Sequence, residues 1–292
     1  MIAPSELILR PRGSVYHLDL LPGQVAETII TVGDPERVGE VSRRFDRVEL
    51  RVEAREFVTH TGDLNGKRLS VVSTGIGTDN VDIVINELDA LFNIDLHRRE
   101  VVAEPVALTF LRLGTSGSFQ PDIPLDTVVL SSAGLSLDGL LPFYPSIPVD
   151  ESLATALTTH LSQDGQALPV PPVMVRPQLP DFLASLDPAR LTAGITLTAA
   201  GFYAPQGRVL RLPTALTPTL LEALRKFRQE DLRITNIEME TAGIYALASA
   251  LGHRSASLSA LLANRALGTF SRQPATTVDR LIDYGLFLLT DR

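Results

Sequence analysis

The 292-residue chain contains no cysteine. That alone excludes disulfides, thiolate nucleophiles and cysteine-ligated metals. Histidine is scarce too: the five residues at positions 17, 60, 97, 160 and 253 have no spacing that suits a metal. No apolar stretch approaches the ~20 residues needed to span a bilayer. The opening Met1-Ile2-Ala3-Pro4-Ser5-Glu6 has no basic region leading into an apolar run, so a signal peptide is not expected and a cytoplasmic location is. Positive charge is in deficit. A net charge of −8 argues against nucleic acid or an anionic membrane as the main partner. It leaves a small anionic ligand open, because a few local arginines set the field inside a pocket.

What is present is apolar and regularly spaced. Hydrophobic residues make up 45% of the chain, enough for a sizeable core. Apolar runs of strand length recur at residues 28–32, 69–73, 108–113, 127–131, 195–199 and 258–263, and several end in glycine or polar turns. Helical patterns lie between them. Residues 79–92 place Val81, Ile85, Leu88 and Phe92 near one face, and residues 241–251 do the same with Ile244, Leu247, Ala248 and Leu251. Strands alternating with helices predict an α/β chain whose mainly parallel or mixed sheet is covered on both sides. We read a single domain over residues 1–292, without internal repeats, with surface excursions near 93–105 and 141–180. The second excursion is punctuated by proline and carries a predicted helix over 150–161.

Several short segments offer chemistry. Gly33-Asp34-Pro35-Glu36-Arg37 follows a strand. Its glycine allows a tight turn, Pro35 suits a helix start, and N–H groups there can face an anion with Arg37 one turn further on. An ordinary strand-to-helix turn would read the same way. In Arg112-Leu113-Gly114-Thr115-Ser116-Gly117 a charge interrupts an apolar strand just before a predicted glycine turn. A buried charge there needs a partner or a ligand. Ligands of open α/β sheets bind at that strand end, and a structural ion pair is the alternative. Ser73-Thr74-Gly75-Ile76-Gly77 ends another strand and suits close backbone approach, by a ligand or by a neighbouring helix.

Phe202-Tyr203-Ala204-Pro205-Gln206-Gly207-Arg208 reads as a loop. A carboxamide and a guanidinium two residues apart can present an acceptor and donors to a planar amide-like edge such as that of uracil, with Phe202 available to stack on its face. A solvated polar loop is the alternative. Asn236-Ile237-Glu238-Met239-Glu240 leads into a helix that Thr235 or Asn236 is expected to cap. An ionised carboxylate beside a helix start can accept from two vicinal hydroxyls, as on ribose. Asn264-Arg265 again puts an arginine at the end of a strand.

Taken in order, these landmarks, together with Tyr16-His17-Leu18 and Arg55-Glu56-Phe57, resemble the uridine phosphorylase branch of the nucleoside phosphorylases. The resemblance covers nearly the whole chain. It implies a three-layer α/β/α sandwich with a central mixed sheet, and reversible phosphorolysis of a β-nucleoside to free base and ribose 1-phosphate. It assigns phosphate to Gly33, Arg37, Arg55, Arg112 and Thr115, and ribose to His17, Met239 and Glu240. The pyrimidine falls to Phe202, Gln206, Arg208 and Arg265, with Ser116, Gly117 and Glu238 in support. His17 and Arg55 would reach a neighbouring subunit's site, making a homodimer the smallest complete unit and a homohexamer the expected assembly. No organic cofactor is implied; phosphate is the co-substrate. Purine-cleaving relatives carry an Asp where this chain has Arg265, and hydrolytic relatives lack the arginine cluster. The branch can also hold a monovalent cation at the dimer interface, using the residue that matches Glu56 and a serine that matches Asn80. Asp79-Asn80 departs from that pattern, so no metal is assigned.

Overall fold

The computed structural model describes residues 1–185 and 191–290; the single-domain span read above includes residues outside these. Its first half is built from β1 (Thr28–Val32), α1 (Pro35–Ser42), β2 (Arg47–Ala54), β3 (Phe57–Leu64), β4 (Lys67–Ser73), α2 (Thr78–Asn93), β5 (Ile94–Asp95), β6 (Glu100–Val101) and β7 (Thr109–Ser118). The second half contains β8 (Val128–Leu137), α3 (Glu151–Gln163), β9 (Val173–Val175), β10 (Thr192–Ala199), α4 (Pro218–Lys226), β11 (Arg228–Gln229), β12 (Leu232–Glu238), α5 (Thr241–Ala250), β13 (Arg254–Asn264), β14 (Thr269–Phe270) and α6 (Pro274–Thr290).

Twelve strands join in one sheet with the path β11-β12-β10-β8-β13-β7-β1-β4-β3-β2, to which β9 and β14 add at the side. The centre is parallel: β1 pairs with β4 and β7, and β13 with β7. The β2-β3-β4 meander is antiparallel, so the sheet is mixed. The end of β7 also pairs with β12, Ser118 facing Asn236 and Gly117 facing Ile237. The circuit β12-β10-β8-β13-β7 therefore closes on itself.

The pleat decides which side chain meets which helix layer. On β1, Ile29 joins the core under α2 and α5, while Ile30 joins the core under α1 and α6. β7 repeats the alternation, with Phe110 toward α2 and α5 and Leu111 and Leu113 toward α1 and α6. Arg112, between those two leucines, is thus delivered to the α5 side. A third apolar cluster lies under α3 and α4. Helices on both faces of a mixed sheet match the three-layer expectation.

Two local readings are corrected. Gly114-Thr115-Ser116-Gly117 is not a turn ending the strand at Leu113; β7 continues to Ser118 because β13 runs beside it and β12 takes over at its end. Thr235 and Asn236 do not cap α5. Both lie in β12, and it is the Glu238 carboxylate that accepts from the N–H groups of Glu240 and Thr241. The charged excursion after α2 connects that helix to β7, and it holds the β5–β6 hairpin. The helix predicted over 150–161 is α3, its start capped by Asp150, which accepts from Leu153 N–H.

Candidate active site

Segments following or ending β1, β7, β12 and β13 border a cleft of about 790 Å³. At one end stand Gly33, Asp34, Arg37, Arg112 and Thr115. Arg37 sits one turn into α1, whose start is fixed by Asp34 accepting from Glu36 N–H. Its Nε is buried without a hydrogen-bond partner. Burial pushes the Arg37 pKa down; Asp34 opposes this and Arg112 adds to it. An under-compensated guanidinium beside a second one suits an anion.

Arg112 is buried and committed. Its Nη1 donates to Ser259 Oγ at 3.2 Å, and its Nη2 lies 2.6 Å from Glu240 Oε2 and 3.0 Å from Glu238 Oε2. The guanidinium folds back over Gly114, where a Cβ would collide with it. Burial opposes the Arg112 charge, but Glu238 and Glu240 outweigh it and its pKa rises.

Glu240 is held from its other oxygen by Gly77 N–H at 2.9 Å, so the Gly75-Ile76-Gly77 turn belongs to the site. Glu238 accepts from Thr198 Oγ1 at 2.7 Å and from two backbone N–H groups. Burial pushes the Glu238 pKa up; Arg112 opposes the shift and Glu240 adds to it. Two buried carboxylates thus share one arginine. Met239 lines the cleft between them.

At the far end, Gln206 is buried and its Oε1 accepts from Arg208 Nη1 at 2.5 Å. The Arg208 guanidinium lies 3.8 Å over the Phe202 ring, and Tyr203 meets that ring edge-on at 5.3 Å. One face of Phe202 is therefore taken by Arg208, which leaves the opposite face for a base. Arg265 does not line the cleft. It stands behind Gln206, donating from Nη2 to that residue's backbone carbonyl, with its stem against Gly117 and its Nη1 buried without a partner. Burial pushes its pKa down, and Arg208 and Arg225 add to the shift. Among the described residues no carboxylate pairs with Arg208 or Arg265, so this end of the cleft is electropositive. Ser116 also lines the cleft, its Oγ accepting from Asn236 Nδ2 at 3.0 Å.

Besides Arg265, two more predicted residues are outside this chain's cleft. His17 is fixed by Glu87 of α2, which accepts from the His17 ring Nδ1 at 2.6 Å and from the His17 and Leu18 N–H groups. Arg55 occupies the β2–β3 turn with φ 56° and is exposed, 5.3 Å from the Tyr16 ring. Glu56 and Asn80 both border the cleft.

Residues 27–280 match the family described as the Phosphorylase superfamily. The chain belongs to this superfamily. A uridine phosphorylase of Thermococcus kodakarensis is 30% identical over 262 residues, 89% of this chain and 81% of that protein. One from Haemophilus influenzae is 27% identical over 86% of each chain. The fold agrees with a Trypanosoma brucei nucleoside phosphorylase described as showing uridine phosphorylase activity. That match has a TM-score of 0.84 at 24% identity and covers 98% of this chain and 100% of that one.

Of the residues read from the sequence, the cleft brings together Arg37, Arg112, Glu238-Met239-Glu240 and the Gln206–Arg208 pair. The sequence reading missed what holds the site residues: Ser259 on Arg112, Thr198 on Glu238, Glu87 on His17 and Asn236 on Ser116. It also missed Phe270, which lines the cleft from β14. No local motif marks Ser259, Thr198 or Glu87, because each acts from a strand or helix remote in sequence from the residue it holds. Asn236 and Phe270 lie in or just after quoted segments, but nothing local shows what they face.

Proposed function

We propose that this chain is a uridine phosphorylase, cleaving uridine with phosphate to uracil and ribose 1-phosphate. The observation that carries the reading is one cleft lined by three chemistries: Arg37 and Arg112 with Gly33 and Thr115, Met239 with Glu240, and Gln206 with Arg208. Anion, diol and amide edge are the three parts that phosphorolysis of a nucleoside must hold. The named relatives support the same activity.

Phosphate would take the arginine end, with Arg37 Nε as a ready donor. Glu240 would accept from the ribose hydroxyls. As the glycosidic bond breaks, the sugar gains oxocarbenium character and negative charge moves onto the base. That charge meets Arg208 in the cleft and Arg265 behind it. Preorganised electrostatics and positioning account for the rate, and neither a covalent intermediate nor an organic cofactor is required. Purine phosphorylases of this family place an acid where Arg265 stands, which favours the pyrimidine reading.

We read the smallest complete unit as a homodimer, to which His17 and Arg55 are donated across the interface, and the full assembly as a homohexamer. We place the enzyme in the cytoplasm, in pyrimidine salvage. The deciding assay is release of free base from a nucleoside panel with and without phosphate. Uridine and its deoxy analogues should be cleaved only with phosphate and at a higher kcat/KM than inosine or adenosine. Equal or better purine turnover, or release without phosphate, would overturn the reading.

A further inference from the structure

Phe270 stands apart from the residues that the motifs bring to the cleft. It lies on the two-residue strand β14, opposite Ala263 of β13, and both line the cleft. Directly opposed residues of an antiparallel pair project to the same face, so the ring and the small Ala263 side chain share one wall. The ring is 74% exposed. An aromatic side chain left in a cleft forgoes a large apolar burial unless a ligand supplies it.

The hairpin that carries the ring is fixed on both flanks. Asn264 Oδ1 accepts from the N–H groups of Ala266 and Leu267 at 3.1 Å, and the Asn264 side chain donates to the carbonyls of Gln120 and Ile123. Beyond the ring, Ser271 N–H donates to Leu262 O at 2.8 Å and its hydroxyl donates to Asp126 at 2.5 Å. Phe202, the other ring at this end, already has Arg208 over one face and Tyr203 at its edge. Phe270 has no ring or cation contact among the described residues. Of the two rings, the one with free faces is therefore Phe270.

We propose that Phe270 is a base-contacting, specificity-determining residue, packing on the pyrimidine from the Ala263 side of the cleft and limiting what the base can carry there. The proposal rests on the nucleoside reading above. Ala263 leaves space under the ring, and Phe270 sets how much of it remains.

Titration of the intact protein with uridine, 5-bromouridine, inosine and phosphate separates the outcomes, in the wild type, Phe270→Ala and Phe270→Leu. The exposed ring supports no core, so folding of both variants is expected and is checked by thermal melting. Loss of an aromatic contact should weaken uridine binding roughly tenfold in Phe270→Ala. Leu should recover part of the loss, phosphate affinity should be unchanged, and the ratio of 5-bromouridine to uridine affinity should rise in Phe270→Ala. Unchanged uridine affinity overturns the proposal, as does an equal loss of phosphate affinity. So does a change in assembly mass with nucleoside binding intact, which would make the ring a subunit contact. If the wild type binds inosine and not uridine, the pyrimidine reading fails instead. The role of Phe270 is then judged by the inosine titration with the same variants, where unchanged affinity sinks it.

Discussion

Arg112 Nη2 lies 2.6 Å from Glu240 Oε2, joining the residue assigned to phosphate to the residue assigned to ribose. A phosphate oxygen and a ribose hydroxyl would each engage one member of this pair. Removing one member leaves the other buried and unpaired, and such losses typically cost about 3–5 kcal/mol of stability. Arg112→Ala should therefore lower the melting temperature as well as phosphate use. Removal of a charge-assisted contact in an organised site costs about 2–4 kcal/mol of transition-state stabilisation. Arg112→Lys keeps the charge but not the fork that reaches Ser259 and both glutamates, and should recover stability more than activity. Normal phosphate dependence in Arg112→Ala would remove Arg112 from the phosphate site.

Glu238 gives a pH signature. Burial raises its pKa in the folded protein above the ordinary glutamate value. The native state then holds the proton to a higher pH than the unfolded chain does. The stability that protonation contributes is full below the unfolded pKa and is lost as pH rises through the folded one. The melting-temperature difference between wild type and Glu238→Gln should therefore shift against wild type as pH rises from about 4.3 through the raised value. A difference that stays flat across that window would show that Glu238 titrates normally.

Subunit exchange tests the crossing residues. If Arg55 serves a neighbour's cleft and Arg112 its own, mixing Arg55→Ala with Arg112→Ala subunits should restore some sites that carry both arginines. Recovered phosphorolysis after exchange is the expected result. No recovery despite exchange proven by mass would mean that each chain supplies its own site.

Gln206 and Arg208 should govern base choice. Gln206→Leu removes the acceptor that holds Arg208 at 2.5 Å and should raise the KM for uridine far more than that for phosphate. Unpaired buried polar groups discriminate strongly between substrates, so cytidine should be poor with the wild type. Its 4-amino group would turn donors toward guanidinium donors. Retention of the cytidine–uridine preference in Gln206→Leu would place recognition elsewhere.

Gly134 tests how tightly the site is braced from the core. A Cβ on this β8 residue would sit 2.8 Å from the Ala242 Cα, in the first turn of α5. Helix α5 begins immediately after Glu240, so pushing it outward would move the carboxylate. Gly134→Ala should cost about 1–3 kcal/mol as an overpacked site and should lower kcat even where the protein is folded. Wild-type stability and kcat together would rule out that brace.

Much of the molecule was legible along the chain. The runs at 28–32 and 69–73 fall in β1 and β4, and the patterns over 79–92 and 241–251 correspond to α2 and α5. Hydrophobic period is a local property, and local spacing decides it. Gly33, Arg37, Arg112, Glu240, Gln206 and Arg208 could be singled out because each has an unusual neighbour within a few residues. The β2–β3 hairpin and the hairpin turn before Phe270 were not read. β2 alternates exposed charge with half-buried apolar side chains, and the two residues of β14 carry no period at all.

The sequence by itself determined the strand-and-helix alternation, the absence of thiol chemistry and the residue types available for an anion, a diol and a base. Tertiary structure decided their partnerships. Only the sheet order places Ser259 beside Arg112, and only the pleat turns Arg112 toward α5 and away from α6. Only the folded loop lays Arg208 over Phe202 and leaves Phe270 open. Composition and spacing specify which charges exist. Which of them neutralise one another depends on distances of a few ångströms between segments more than a hundred residues apart, and burial makes those distances count.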